Sequence, residues 1–92
     1  MKKIKHNTIL YYTEDALLEI NKIISGCKNN SLDEGEYFVL MEHAIEMFNF
    51  AFNARYLSRK EASELSQEEY EKCTLPPREI FERIRRKRGK MI

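Results

Sequence analysis

The amino-acid sequence predicts an all-α fold: a small bundle of four to five helices, formed by residues 1–92 as a single domain around a long buried central helix. Three observations support this prediction. The 92-residue chain has only three glycines and two prolines, it is 42% hydrophobic and 34% charged, and its apolar residues recur at helical spacing. Such a composition is typical of a folded, soluble domain. A chain this short buries a limited core, so a partner subunit would help to stabilise it.

The first helix is expected to follow an extended lead-in that covers residues 1–12. Residues 4–12, "IKHNTILYY", are rich in β-branched and aromatic side chains, so they suit a short amino-terminal strand. Thr13 is the expected N-cap because two acids follow it, and Gly26 is the expected C-cap. Between them, one helical face is apolar: Ala16, Leu17, Ile20, Ile23 and Ile24.

The second helix is the most informative segment, and the capping-box spacing of Ser31 and Glu34 predicts its start. Residues 36–57 are apolar around most of the helix, which indicates burial on several sides. Two explanations remain open: this is the central helix of a tight bundle, or part of it is a dimer interface. We favour the interface, with candidate residues Phe38, Met41, Ile45, Phe48 and Phe52.

A narrow polar stripe interrupts that apolar surface and holds the only cluster that suggests a metal or acid–base site. Its members are Glu42, Glu46, Asn49 and Asn53, with His43 beside them. Di-iron helices use Glu-x-x-His pairs, whereas here the order is His-x-x-Glu and it occurs once. Zinc sites need three or four ligands at recognisable spacing. We therefore expect no metal site, and a stripe that faces solvent or a partner.

Two short helices and a final basic helix are expected after residue 57. The octads "LSRKEASE" and "LSQEEYEK" both have capping-box spacing, at Ser58/Glu61 and Ser66/Glu69. "CTLPP" then interrupts the chain, and a proline pair suits the first turn of a last helix. The apolar positions of that helix are Ile80, Phe81 and Ile84.

Several classes of function are not expected from this sequence. Cys27 and Cys73 match no metal spacing, and we interpret them as reduced thiols, with a single disulfide as the alternative. No glycine-rich phosphate loop or catalytic motif is present, so we predict a protein that is not an enzyme, with no cofactor and no small-molecule substrate. No signal peptide or membrane-spanning run is apparent, so a cytoplasmic protein without a membrane partner is expected.

Charge is strongly segregated along the chain. Residues 13–75 contain thirteen acids and six bases, whereas residues 78–92 contain seven bases and two acids, and residues 85–92 form a basic tail. Arginine matches phosphate oxygens well, so this region suits a polyanion. The candidate contacts to nucleic-acid phosphates are Arg83, Arg85, Arg86, Lys87, Arg88 and Lys90, with Lys2, Lys3 and Lys5. A tail that pairs with the acidic body or with a protein partner, and a tail that is simply solvated, remain alternatives.

Two stretches resemble the helix-turn-helix of the excisionase and MerR families. "YLSRKEASEL" matches the Leu-Ser start and Glu-Ala pair of the first helix, and "IFERIRRKRGK" matches a basic second helix. The resemblance covers roughly residues 56–90 and implies insertion of the basic helix into the DNA major groove. The sequence departs from the pattern where "SQEEYEKCTLPP" replaces the short turn between the two helices.

Together these features predict a small regulatory or accessory protein, of the phage or mobile-element type, that contacts nucleic acid through a basic carboxy-terminal helix as a homodimer. The alternative is an inhibitor or adaptor that binds a host protein through an apolar or acidic helical surface.

Overall fold

A computed structural model describes residues 2–90, with side chains through Lys87, and the fold is all-α. Five helices follow in order: α1 His6–Lys28, α2 Glu34–Asn53, α3 Arg59–Ser63, α4 Gln67–Cys73 and α5 Arg78–Lys90. The two long helices, α1 and α2, pack along each other. A five-residue connection makes them antiparallel neighbours.

The predicted extended lead-in is wrong, and residues 2–90 contain no strand. Helix α1 begins at His6 rather than after Thr13. Its first turn is held by tertiary contacts: the buried Thr8 hydroxyl donates to the Leu57 carbonyl at 2.7 Å, and the Lys5 N–H donates to the Arg55 carbonyl at 2.7 Å. Such contacts override local β-propensity, which depends strongly on packing.

The predicted ends of the α1–α2 connection also need correction. Gly26 does not end α1, which continues to Lys28. The glycine allows close packing, because a Cβ there would lie 3.0 Å from Leu32 Cβ. Helix α2 is capped by Asp33, whose carboxylate accepts the Glu36 N–H at 2.7 Å, and not by Ser31.

The core is small and lies where the carboxyl half of α2 meets α1, α3 and α4. Phe50 is fully buried at its centre, with the Tyr12 ring at 4.3 Å and the Tyr70 ring at 5.0 Å between centroids. Alanines fill most of the remaining buried hydrophobic positions, so the helices approach closely but bury little apolar surface: Ala16, Ala44, Ala51, Ala54 and Ala62.

The capping predictions for the two short helices are confirmed. The Ser58 hydroxyl accepts the Glu61 N–H and the Glu61 carboxylate accepts the Ser58 N–H, and Ser66 and Glu69 repeat this arrangement. In each box the carboxylate accepts a backbone N–H, and this lowers the pKa of Glu61 and Glu69. Both short helices therefore begin where the sequence predicts.

The prediction of a buried central helix is wrong for the single chain. Phe38 is 70% exposed, and Ile45 and Phe48 are about half exposed. Helix α2 has α1 on one side, while α3, α4 and the following loop cover only its carboxyl half. The described residues form a helical hairpin with two short helices at one end, rather than a bundle that encloses α2.

Candidate functional site

Helix α5 lies apart from the rest of the molecule. Within the described residues it packs against none of the other four helices. Its first turn lies near the end of the hairpin, where Glu79 is 3.6 Å from the Arg55 guanidinium. Pro77 precedes the helix, and its carbonyl accepts the Phe81 N–H at 3.3 Å. The structure therefore presents α5 as an arm with most of its surface in solvent.

The basic residues of α5 that the sequence singled out are exposed wherever the structure describes them. Arg83, Arg86 and Lys87 have i, i+3, i+4 spacing, which places them in one stripe along the helix, and Arg85 lies beside the apolar positions. In the described part of the chain, none of these four bases forms an ion pair with an acid. The side chains of Arg88 and Lys90 lie outside the described residues.

The other face of α5 is apolar and also exposed. Phe81 and Ile84 are 49% and 43% exposed, and Ile80 is similar. A helix of 13 residues is marginally stable by itself in water, and clustered like charges destabilise it further. Helix α5 would therefore be stabilised by a partner that covers its apolar face or neutralises its basic face.

The amino-terminal lysines lie at the same end of the hairpin as the start of α5. Lys2, Lys3 and Lys5 line an open cleft of about 400 Å³ beside Tyr56 and Glu61. The Lys2 ammonium is 5.6 Å from the centroid of the Tyr56 ring. This cleft is separate from the basic stripe of α5, so the structure does not merge the two predicted groups into one surface.

Two arginines that the sequence analysis did not single out extend this basic end. The Arg55 guanidinium lies 4.0 Å from the Phe52 ring and 4.5 Å from the Tyr56 ring, and Arg59 lies 4.0 Å from the Tyr11 ring. Arg55 follows an apolar run and Arg59 precedes Lys60, so neither forms part of a basic cluster that the sequence makes conspicuous. Only the fold brings Arg59 onto Tyr11 and places Arg55 between α2 and α5.

The predicted interface residues of α2 form one continuous face. Phe38, Met41, Ile45, Phe48 and Phe52 have alternating spacing of three and four residues, the pattern that lines one side of a helix for a partner helix. This face points away from α1, against which Ala44, Met47 and Ala51 are buried. Phe38, Ile45 and Phe48 are exposed on this face, whereas Met41 and Phe52 are half buried, and Arg55 covers the Phe52 ring.

A groove of about 490 Å³ runs beside the exposed part of this α2 face. Its floor is apolar, with Phe38, Met41 and Ile45, and Glu42 and Glu46 lie along its edge. Thr74 and Pro76, in the connection before α5, line it as well. The α2 groove is therefore apolar inside and acidic at its edge.

Part of the polar stripe on α2 has a structural role that the sequence did not indicate. The Asn49 amide donates to the Thr74 carbonyl at 2.9 Å, and the Asn53 amide donates to the carbonyls of Cys73 and Leu75 at 2.8 and 2.9 Å. These carbonyls lie at the end of α4, where the helix cannot satisfy them itself. The two asparagines thus fix the segment from which α5 departs.

His43 lies beside two acids of α1 and stays partly exposed. Its imidazole lies 3.6 Å from Glu19 and 3.9 Å from Asp15, and the largely buried Glu19 also pairs with Lys22 at 3.2 Å. No group of three or more metal-ligating side chains is placed to hold an ion among the described residues.

Both cysteines are free thiols. Cys27 is exposed, and Cys73 is half buried beside the core. Burial raises the pKa of the Cys73 thiol, and the negative charge of Glu69 raises it further. This shift is opposite to the one that activates a cysteine nucleophile.

The helix-turn-helix resemblance does not extend to the arrangement of the helices. Its two matching stretches correspond to α3 and α5, but α4 and the Pro76–Pro77 pair lie between them. The basic helix therefore does not follow α3 across a short turn, which the docking of that motif in the major groove requires.

Within residues 2–90, no helix combines the length and the apolar character needed to cross a membrane. Comparison of the chain with protein-family models, curated proteins and solved structures gave no match.

Proposed function

We propose that this chain is a small non-enzymatic regulatory or accessory protein that contacts nucleic-acid phosphates through α5, as a homodimer. The observation that supports it most is the position of α5, which extends from the body with Arg83, Arg85, Arg86 and Lys87 exposed and without acidic partners among the described residues. Guanidinium groups in such a row suit successive phosphate oxygens.

The charge distribution favours contact along the backbone of nucleic acid rather than reading of bases. The bases of α5 occupy a stripe and both flanks of its apolar face, while the hairpin is acidic and would be repelled by a polyanion. A nucleic acid would therefore meet the arm first. Phosphate contacts of this kind position a protein but provide no sequence information directly.

The amino-terminal end supports the same proposal as a secondary contact. Lys2, Lys3 and Lys5 lie at the end of the hairpin from which α5 departs, and Arg55 connects the two regions. A cytoplasmic location fits this role, because nucleic acid and reducing conditions that keep Cys27 and Cys73 as thiols occur together there.

Fluorescence anisotropy of labelled duplex DNA and RNA tests the proposal directly. The full chain and a chain that ends at Ile84 are titrated at several salt concentrations. We expect the full chain to bind with a linear dependence of log affinity on log salt, and the shortened chain to lose most of that affinity. Absence of binding by the full chain at low salt would contradict the proposal.

The α2 groove favours a second candidate of another class, an inhibitor or adaptor that binds a host protein. Its apolar floor and adaptable Met41 suit a partner helix. Under this candidate, partner affinity survives high salt and loss of residues 85–92, but fails when Phe48→Asp is introduced. Circular dichroism of the variant, which should retain the helicity of the parent, separates lost binding from lost folding.

A further inference from the structure

We infer that the apolar face of α5 from one copy of the chain docks in the α2 groove of a second copy, so that two chains exchange these helices symmetrically. This inference specifies the dimer contact and so rests on the homodimer in the proposed function. It does not depend on whether α5 also contacts nucleic acid.

The chemistry of the two surfaces is complementary. Helix α2 contains four glutamates and no lysine or arginine, whereas α5 contains seven bases and two acids. Both helices expose an apolar face, with Phe38 and Ile45 on α2, and Phe81 and Ile84 on α5. Lys87 and Arg85 lie on opposite flanks of the α5 apolar face, so one of them would meet the edge formed by Glu42 and Glu46 whichever way α5 runs along the groove.

The same charges argue against the simpler alternative, in which α2 packs against α2 of a second copy. That arrangement would bring two helices together that each have four glutamates and no compensating base. Like charges across an interface are strongly unfavourable. Docking of α5 covers the same apolar face and replaces this repulsion by attraction.

The connection before α5 shows why the occupant is a second copy and not the chain's own helix. Asn49 and Asn53 hold the carbonyls of residues 73–75 against α2, and Pro76 lies at the end of the groove. The first turn of α5 then lies beside Arg55, beyond the carboxyl end of α2, whereas the groove runs back toward Phe38. The chain's own α5 therefore leads away from its own groove.

The dimensions of the two surfaces match. The groove follows α2 from Phe38 to Asn49, about 16 Å along the helix axis, and α5 with its 13 residues is about 20 Å long. A stable dimer buries about 1,200 Å² or more in total. A symmetric exchange forms the contact twice, so each docked helix has to supply only about half of that area.

After docking, the apolar face of α5 is buried and the stripe formed by Arg83 and Arg86 still faces solvent. One helix would then have two roles, dimer contact on one side and phosphate contact on the other. Docking would also stabilise α5, which is marginally stable by itself, because the partner chain covers its apolar side chains.

Sedimentation equilibrium of the full chain over a wide concentration range measures the dimer, and four variants test the contact. Phe81→Asp with Ile84→Asp should raise the dimer dissociation constant by about tenfold or more, since it places two charges in an apolar groove. Arg83→Gln with Arg86→Gln is the matched control on the other face and should leave the dimer unchanged while it weakens DNA binding.

Charge exchange makes the test specific for α5 in the groove. Glu42→Lys with Glu46→Lys should weaken the dimer, because these lysines would face the basic flank of α5, formed by Arg85 or by Lys87. Adding Arg85→Glu and Lys87→Glu to the same chain should restore it. Since α5 packs against none of the other helices of its own chain, and neither glutamate forms an ion pair among the described residues, these variants should keep the hairpin folded, and any loss of helicity on dissociation should be confined to α5.

Three results would overturn the inference: a full chain that is monomeric at all concentrations, a dimer that is insensitive to Phe81→Asp with Ile84→Asp, or a failure of the added glutamates to restore the dimer. Failure of the proposed nucleic-acid contact is distinguishable from all three. In that case the dimer still forms and still responds to the charge-exchange variants, but the anisotropy of labelled DNA does not change on addition of the full chain.

Discussion

The asparagine contacts between α2 and the end of α4 lead to a quantitative prediction for Asn53. Its amide donates to two carbonyls, at 2.8 and 2.9 Å. Each such bond contributes about 0.5–1.5 kcal/mol net. The bond to Cys73 is partly buried and the bond to Leu75 is exposed, so the exposed bond should contribute at the low end of this range. Asn53→Ala should therefore lower the free energy of unfolding by about 1–2 kcal/mol.

Replacement of the same amide by a carboxylate is the sharper form of this test. Asn53→Asp preserves the size of the side chain, removes both donors and places a negative charge against two carbonyl oxygens. We expect Asn53→Asp to be less stable than Asn53→Ala. Asn21→Ala, at an exposed site on α1, is the matched control and should change stability by less than about 0.5 kcal/mol.

Urea denaturation followed by circular dichroism gives these free energies of unfolding. A loss of 1 kcal/mol corresponds to a shift in Tm of about 4–8 °C for a chain of this size. Equal stability of Asn53→Asp and the parent chain would refute the reasoning, since the amide would then donate to neither carbonyl.

Three further outcomes test the core, the thiols and the capping boxes. Phe50→Ala should cost about 3–5 kcal/mol in urea denaturation because Phe50 is fully buried, and Leu18→Ala at an exposed site should cost less than about 1 kcal/mol; similar losses would contradict the described core. Iodoacetamide at pH 8, followed by peptide mass spectrometry, should label Cys73 more slowly than an exposed thiol, because burial raises its pKa and so lowers its thiolate fraction; rapid labelling of Cys73 would contradict this. The capping boxes lower the pKa of Glu61 and Glu69 below the ordinary 4.5, so their contribution is present above that pH and is lost as the pH falls through the lowered values. Thermal melts from pH 6 to pH 3 should therefore show a smaller loss of Tm when both glutamates are replaced by glutamine, and identical pH dependence would argue against the boxes.

Local signals in the sequence were reliable for α3 and α4, whereas the same spacing at Ser31 and Glu34 was misleading because Asp33 caps α2. The caps of α3 and α4 depend on residues three apart, so their starts at Ser58 and Ser66 could be predicted. The start of α1 depends on Thr8 and Leu57, which are 49 positions apart, and no local pattern contains that information. Gly26 was misinterpreted for a related reason, since its neighbour Leu32 belongs to the following connection.

The same distinction between local and tertiary information applies to the candidate site. The basic residues of α5 and the apolar face of α2 are runs and spacings, so both could be identified before the structure was described. Apolar composition shows that a helix needs cover but does not show which element supplies it, and for this reason the sequence left open whether α2 is covered within one chain or by a partner. Arg55, Arg59 and the amide contacts of Asn49 and Asn53 depend on tertiary neighbours and were missed.

Phosphate contact by α5 predicts a specific salt dependence of DNA binding. The measurement compares the parent chain with a full-length variant that combines Arg83→Gln and Arg86→Gln and leaves the apolar face and its flanks intact. The matched control replaces two bases of the body by glutamine: Lys28 and Lys72.

Each phosphate contact contributes about 0.9 to the slope of log affinity against log salt for duplex DNA. The α5 variant should therefore have a slope smaller in magnitude by about 2 for each α5 bound, while the control keeps the slope of the parent. Equal slopes for the parent and the α5 variant would mean that these bases do not meet phosphates, and the account of α5 as a nucleic-acid contact would be wrong.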